Sequence, residues 1–399
     1  MSTATTEAPR EHLLNANYLK VMIANFMMFF AFYLLTPLLP LYMTQAFGAT
    51  KDVIGIVLSG YSVIALLVRP FSGYIVDTFP RKKVLMVCFW SFALFFGGYI
   101  AAGTLLWFAL FRILHGGPFG ALTVANTTVA IDVLPSSRRN EGLALFGVSN
   151  NIAMAVAPTM ALWIYHATNN FQILFWIALA AAFIGLAADA LVKSPQRPPV
   201  LNKQKLSLDR FLLLRGLPVG ANLIFFGFCI GVFNYYLAIY SEQERGITEG
   251  AGTFYFLLAG GLILSRFVGR KSVRAGKLSR NAGIGIAIST LAYLLFIAVP
   301  THWSYYLTAV GIGIGNGLMF PGFQNMMINM ADHSRRGTAN STTLTAWDLG
   351  LGLGILFGGV IAEHWGFASV FWTCFGVHLA GLILYFAATQ GFFERHKLR

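Results

Sequence analysis

In the stretch "TAWDLGLGLGILFGG" (345–359), Asp348 sits deep inside a long run of apolar and small residues. An unpaired charge that far from water in a bilayer costs at least ~2.5 kcal/mol, so a carboxylate there must be paired, hydrated or protonated. The chemistry open to it is uptake and release of a proton, or a hydrogen bond to a neighbouring helix. The other acids are placed less demandingly. Asp132, Asp189 and Asp332 fall near run ends, from which they are expected to reach water. A second constellation is "RILHGGPFGA" (112–121), where Arg112 and His115 are three apart and share a helix face. A guanidinium and an imidazole together can hold an anion or hand on a proton. The alternatives are snorkelling of Arg112 to headgroups and simple packing of His115. A third is "SGYIVDTFPRKKVL" (72–85), in which an apolar run meets Asp77 and then Arg81, Lys82 and Lys83.

These groups need elements to hold them, and composition says which. With 57% hydrophobic and 11% charged residues in 399, the chain has too little polar surface to cover a water-soluble globule. Its apolar runs are ~20 residues long, enough to cross a bilayer as helices and twice what a barrel strand would need. They predict twelve helical spans, near 18–45, 52–76, 84–103, 105–131, 141–165, 171–192, 218–241, 250–270, 282–299, 303–330, 337–362 and 367–389. Of the 28 Lys and Arg, 23 fall in the tails and connections of one face. Lys51 and Arg245 alone mark the other face. By the positive-inside rule both termini and the 193–217 connection are expected in the cytoplasm. The formal charge of +13 then calls for anionic lipid headgroups and no nucleic acid.

Cys88, Cys229 and Cys374 fall in separate spans without metal-like spacing, so neither a metal nor a disulfide is expected. Residues 1–17 are polar and lack the core of a cleavable secretion signal. No Ser–His, His–Glu–His or phosphate-binding constellation appears, which argues against an enzyme and against a bound cofactor.

The spans divide as six, the connection "KSPQRPPVLNKQKLSLDRFLLLRGLP" (193–218), and six more. Arg69 and Arg266, and the pairs Arg138–Arg139 and Arg335–Arg336, recur 197 residues apart. The organisation expected is an N-terminal bundle 1–192, a linker 193–217 and a C-terminal bundle 218–399. Each bundle has an even number of spans, so the two are related by an axis along the membrane normal and leave a cavity where they meet.

Nearly the whole chain resembles the major facilitator superfamily, twelve-helix secondary transporters built from two six-helix bundles. The loop after the second span matches the family's G-x-x-x-D-R-x-G-R-[RK] through Gly73, Asp77, Arg81 and Lys82, departing at Thr78 and Pro80. The resemblance implies that Gly73 lets the eleventh span approach while Asp77 and Arg81, with Asp132, form a latch between the bundles. "RILHGGPFGA" is similar to the family's R-x-x-Q-G, with His115 in place of the amide. "AMAVAPTMAL" (153–162) falls where proton-driven exporters carry G-x-x-x-G-P. Here Ala153, Ala157 and Ala161 stand for glycines around Pro158, keeping a stripe for close helix packing.

Spans 1, 4, 7 and 10 line the cavity in that family, which makes Asn126, Asn222, Asn234, Tyr235, Asn316, Gln324 and Asn325 candidates for substrate contact beside Arg112 and His115. Asp348 is the candidate for proton coupling. The function expected is alternating-access transport of a small organic solute by a monomer in a bacterial inner membrane, with proton-coupled efflux foremost. A proton-coupled importer of a sugar, organic acid or other nutrient is the alternative.

Overall fold

The computed structural model describes residues 14–135, 139–193, 212–247, 250–274, 278–331 and 336–398. Among these every regular element is helical. The first half comprises α1 (Ala16–Leu35), α2 (Leu39–Phe47), α3 (Lys51–Thr78), α4 (Arg81–Ala101), α5 (Leu105–Val133), α6 (Arg139–Thr168) and α7 (Phe171–Ala190). The second comprises α8 (Leu217–Gln243), α9 (Gly250–Arg274), α10 (Leu278–Ala298), α11 (His302–Asn329), α12 (Arg336–Leu384) and α13 (Gln390–His396). Nine described helices are long and apolar enough to cross a membrane. Trp107, Trp303 and Trp365, 57–67% exposed at helix ends, suit the interfacial level of a bilayer.

Two boundaries differ from the sequence reading. The span expected at 18–45 breaks at Thr36–Leu38 into α1 and α2, where Pro37 and Pro40 remove backbone donors. The last two spans run together as α12, turning back at Gly366, whose φ of +77° suits a residue without Cβ.

The 197-residue spacing holds at the level of helices. Those beginning at Arg81, Leu105 and Arg139 recur at Leu278, His302 and Arg336. It also holds at the level of packing. Hydrocarbon supplies no hydrophobic drive between helices, so small residues that bring backbones together must do the work. A Cβ on Gly116 of α5 would strike the Tyr61 carbonyl of α3, and one on Gly313 of α11 would strike the Leu258 carbonyl of α9, 197 residues on.

Asn15 and Leu398, near the two limits of the described residues, and the C-terminal ends of α3, α5, α7, α9 and α11 share one end of the molecule, the tail end. There Asn15 Nδ2 donates to Val133 O at 3.0 Å and Leu398 N to Asn329 O at 2.9 Å. One buried core runs through the first half and crosses into the far-end part of the second. The tail-end part of the second half has its own core around Leu223, Phe226, Met319 and Phe323.

Candidate substrate and coupling site

Several helix pairs join the halves, and the longest contact is an antiparallel zip of α3 against the first part of α12. At the far end, Lys51 N donates to Glu363 Oε2 at 2.8 Å and Lys51 Nζ to Ala362 O at 3.2 Å. Next, a Cβ on Gly55 would lie 3.1 Å from Gly359 Cα, and further down one on Gly352 would lie 3.2 Å from Ser62 Cβ. The zip ends on an ion pair from Arg69 Nη1 to Asp348 Oδ2. Both side chains are mostly covered, at 14% and 19% exposure. Asp348 therefore has a partner on the second span, and the pair ties one half to the other.

Arg69 was visible in the sequence only as a landmark of the repeat. The signal that could have singled it out is its place nine residues inside the end of α3, as demanding as that of Asp348.

A second polar cluster lies where α5 meets α8. Arg112 is 1% exposed, and the hydroxyls it reaches are Tyr235 Oη at 2.8 Å through Nη2 and Tyr99 Oη at 3.3 Å through Nη1. Its guanidinium carbon also lies 4.1 Å from the Tyr61 ring centroid. His115 Nδ1 is 2.7 Å from Tyr99 Oη. Arg112 can only donate, so Tyr99 accepts from it and can give its own hydrogen to Nδ1, assigning the imidazole hydrogen to Nε2. Phe95 stacks on the imidazole at 5.2 Å, and Phe92, Phe96 and Tyr61 enclose it. Arg112 Nε, His115 Nε2 and Tyr61 Oη are buried without a hydrogen-bond partner. Arg112 thus faces into the protein, and headgroup snorkelling does not describe it. Tyr99, which links the pair, was missed because one more aromatic in a chain with 15% of them carries no signal.

The remaining candidates scatter. Asn234 lines a small cavity between the halves together with Tyr33, Thr36, Met154, Pro158 and Tyr255. Asn126 is buried in the first half, where Nδ2 reaches Asn25 Oδ1 at 3.4 Å and Asn25 in turn donates to Ser149 at 2.7 Å. Asn222 donates to Gly381 O at 3.0 Å inside the second half. Asn325 donates to Pro321 O of its own helix at 2.8 Å. Asn316 and Gln324 lie on the same helix, with Asn316 9% exposed. Ala153, Ala157 and Ala161 are fully buried along α6, and next to them Thr159 Oγ1 donates to Gly252 O of α9 at 2.9 Å, a further link between the halves.

At the tail end, Arg81 Nη1 reaches both carboxylate oxygens of Asp132 at 2.7 and 2.8 Å, a contact within the first half. For Gly73 and Asp77 only the helical backbone of α3 is described, so the expected latch between the bundles lies outside the described contacts. Asp189, expected to reach water, is instead 0% exposed and neither carboxylate oxygen has a hydrogen-bond partner. Lys82 Nζ covers this helix end, donating to the carbonyls of Ala190 at 3.1 Å and Val192 at 2.8 Å.

A helical membrane protein whose two repeated halves meet along a zipped interface is built as a secondary transporter. The solved structure of a bacterial homologue of the human lysosomal transporter Spinster, inward-facing and occupied, has the same fold, with a TM-score of 0.79 at 14% identity over 96% of this chain and 98% of that one. The family model of the Major Facilitator Superfamily matches residues 21–306 and 280–397, and the chain belongs to that family.

Among its relatives, the staphylopine export protein of Staphylococcus aureus (strain Mu50 / ATCC 700699) is 24% identical over 374 residues, covering 90% of this chain and 92% of the relative. A Na(+), Li(+), K(+)/H(+) antiporter of Planococcus maritimus is 26% identical over 192 residues, covering 46% and 44%. The protein is thus an integral membrane transporter of a small-molecule substrate, and its relatives are transporters rather than enzymes.

Proposed function

We propose that the protein exports a small organic solute in exchange for protons, as a monomer in a bacterial inner membrane with both termini in the cytoplasm. Segments 1–192 and 218–399 would rock as bodies about the 193–217 linker. The observation that carries this reading is the Arg69–Asp348 pair across the halves. With Asp348 charged, the pair opposes separation of α3 from α12. With a proton on Asp348 the attraction falls and the halves can part. A carrier that reorients only when it holds a proton, or a solute able to break the pair, exchanges one for the other. A symporter needs the reverse, since its unloaded form must reorient freely. A relative named for staphylopine export and another named as a cation/H(+) antiporter support the same direction.

Asp348→Asn is expected to keep solute exchange between the two faces of a proteoliposome while losing accumulation driven by a pH gradient. Solute uptake and a pH-sensitive dye, read together, check both. Undiminished gradient-driven accumulation in this variant would remove Asp348 from coupling.

A further inference from the structure

We infer that Arg112 is the seat for a carboxylate carried on an apolar, ring-sized solute, and that Tyr235 is the group that gives way to it when the halves part. This rests on the transport reading above and names the solute class for it. A buried guanidinium is expensive without a counter-charge, and the hydrogen-bond acceptors Arg112 holds are the neutral phenols of Tyr99 and Tyr235. The ring of Tyr61 beneath it offsets only part of that cost. Nε of Arg112 still points at no acceptor, and Tyr61 Oη in the same cluster also lacks a partner. One planar carboxylate would supply the missing negative charge and accept from two guanidinium nitrogens at once, which a phenol cannot do.

The second half shows that the fold does not require this charge. It repeats the α3–α5 packing as α9–α11, and 197 residues after Tyr61, Tyr99, Arg112 and His115 stand Leu258, Phe296, Ala309 and Ile312, all buried. The same backbone contact is therefore made with an apolar set. A polar cluster kept in one copy and dispensable to the other has a task beyond packing.

The surroundings define the rest of the solute. Phe32 lies 5.8 Å from the Arg112 guanidinium carbon and is stacked on Phe119, which gives an apolar ring a wall to lie against. Tyr235 is the Arg112 partner that comes from the other half. Parting the halves takes it away, and the guanidinium is then exposed toward the interface. The chain neighbours of these two contacts, Tyr33 and Asn234, already line the cavity between the halves.

The test is direct binding to the purified full-length chain, with 2-naphthoate followed by its own fluorescence and 2-naphthamide as the uncharged probe of the same shape. Naphthoate is expected to bind roughly tenfold or more tightly than naphthamide, the worth of a charge-assisted two-point contact. Arg112→Gln and Arg112→Lys should both lose that preference, Lys because it has no planar fork. Tyr235→Phe keeps Arg112 but removes the competing hydroxyl, so naphthoate should bind roughly three- to tenfold tighter, the worth of one hydrogen bond. It decides the matter even if the Arg112 variants do not fold. Equal binding of the two probes, a preference retained in Arg112→Gln, or unchanged or weaker binding in Tyr235→Phe would each overturn the inference. Failure of the transport reading looks different: naphthoate binds with the expected preference but crosses no membrane. Proton-driven transport of a cationic solute at full rate by Arg112→Gln would sink the carboxylate site and leave transport standing.

Discussion

The two ends of the interface between the halves are held by different physics. From Lys51 to Ser62, α3 meets α12 through backbone carbonyls, glycines and one hydroxyl, close enough that Gly55 and Gly359 leave no room for side chains. A core of apolar side chains runs unbroken from one half to the other at that level. Toward the tail end this gives way, among the described residues, to a charged contact, Arg69–Asp348, and beyond it the second half has a core of its own. Many small contacts close the far end, and their loss one at a time should matter little. The contact at mid-depth is one ion pair, which a proton on Asp348 would weaken.

The largest effect should come from breaking that bond by half. Arg69→Ala leaves Asp348 without its ion-pair partner in a mostly covered position, and removal of one member of such a pair typically costs about 3–5 kcal/mol. The melting temperature should fall accordingly, and the double variant Arg69→Ala/Asp348→Ala should recover most of the loss. A double variant no more stable than the single one would show that the two residues do not act as a pair.

Next in size is Gly359→Leu. A Cβ there would strike the Lys51 carbonyl and lie 2.8 Å from Gly55 Cα, and neither is a side chain that can swing aside. Overpacking of this kind costs about 1–3 kcal/mol. Because the cost falls on the closed far end alone, spin labels at the exposed far-end positions Ala46 of α2 and His364 of α12 should report a longer separation. An unchanged distance distribution would mean that the zip does not hold that end shut.

Lys51→Ala should have the smallest effect. Its ammonium meets Ala362 O at 3.2 Å and lies 4.6 Å from the Phe367 ring centroid, together worth about 0.5–1 kcal/mol near water. Its backbone N–H to Glu363 survives the change. The same labels should show a slight rise in the open population. A shift as large as that of Gly359→Leu would make the charge at the rim, and not backbone contact, the main closure.

Much of the architecture could be read from the chain because it depends on local properties. Apolar runs of bilayer length predicted the spans, and Arg69 with Arg266 and the double-Arg turns predicted the 197-residue repeat that the helix starts and glycine contacts reproduce. The break at Thr36–Leu38 was missed because a proline pair in an apolar run can kink a span or merely be carried in it.

Partners were harder to read than elements. Asp348 stood out by its depth, but Arg69 lies 279 residues away and no spacing rule connects them. Arg112 and His115 were found together because three residues on a helix is a local relation, while Tyr99 and Tyr235 arrive from other helices. Asp189 was misread for the same reason. Its place near a helix end suggested access to water, and the cover over that end involves Lys82 of α4.

The turn at Gly366 has a consequence for biogenesis. Only that residue leaves the helical conformation between the two arms of α12. The arms pack antiparallel on one neighbour, since Gly350 and Gly381 both lie against the stretch Ile224–Phe226 of α8. The turn between them is therefore a single residue long, preceded by the exposed Glu363 and His364. A turn that short makes insertion of the two arms as one hairpin, against an α8 synthesised before them, the expected course.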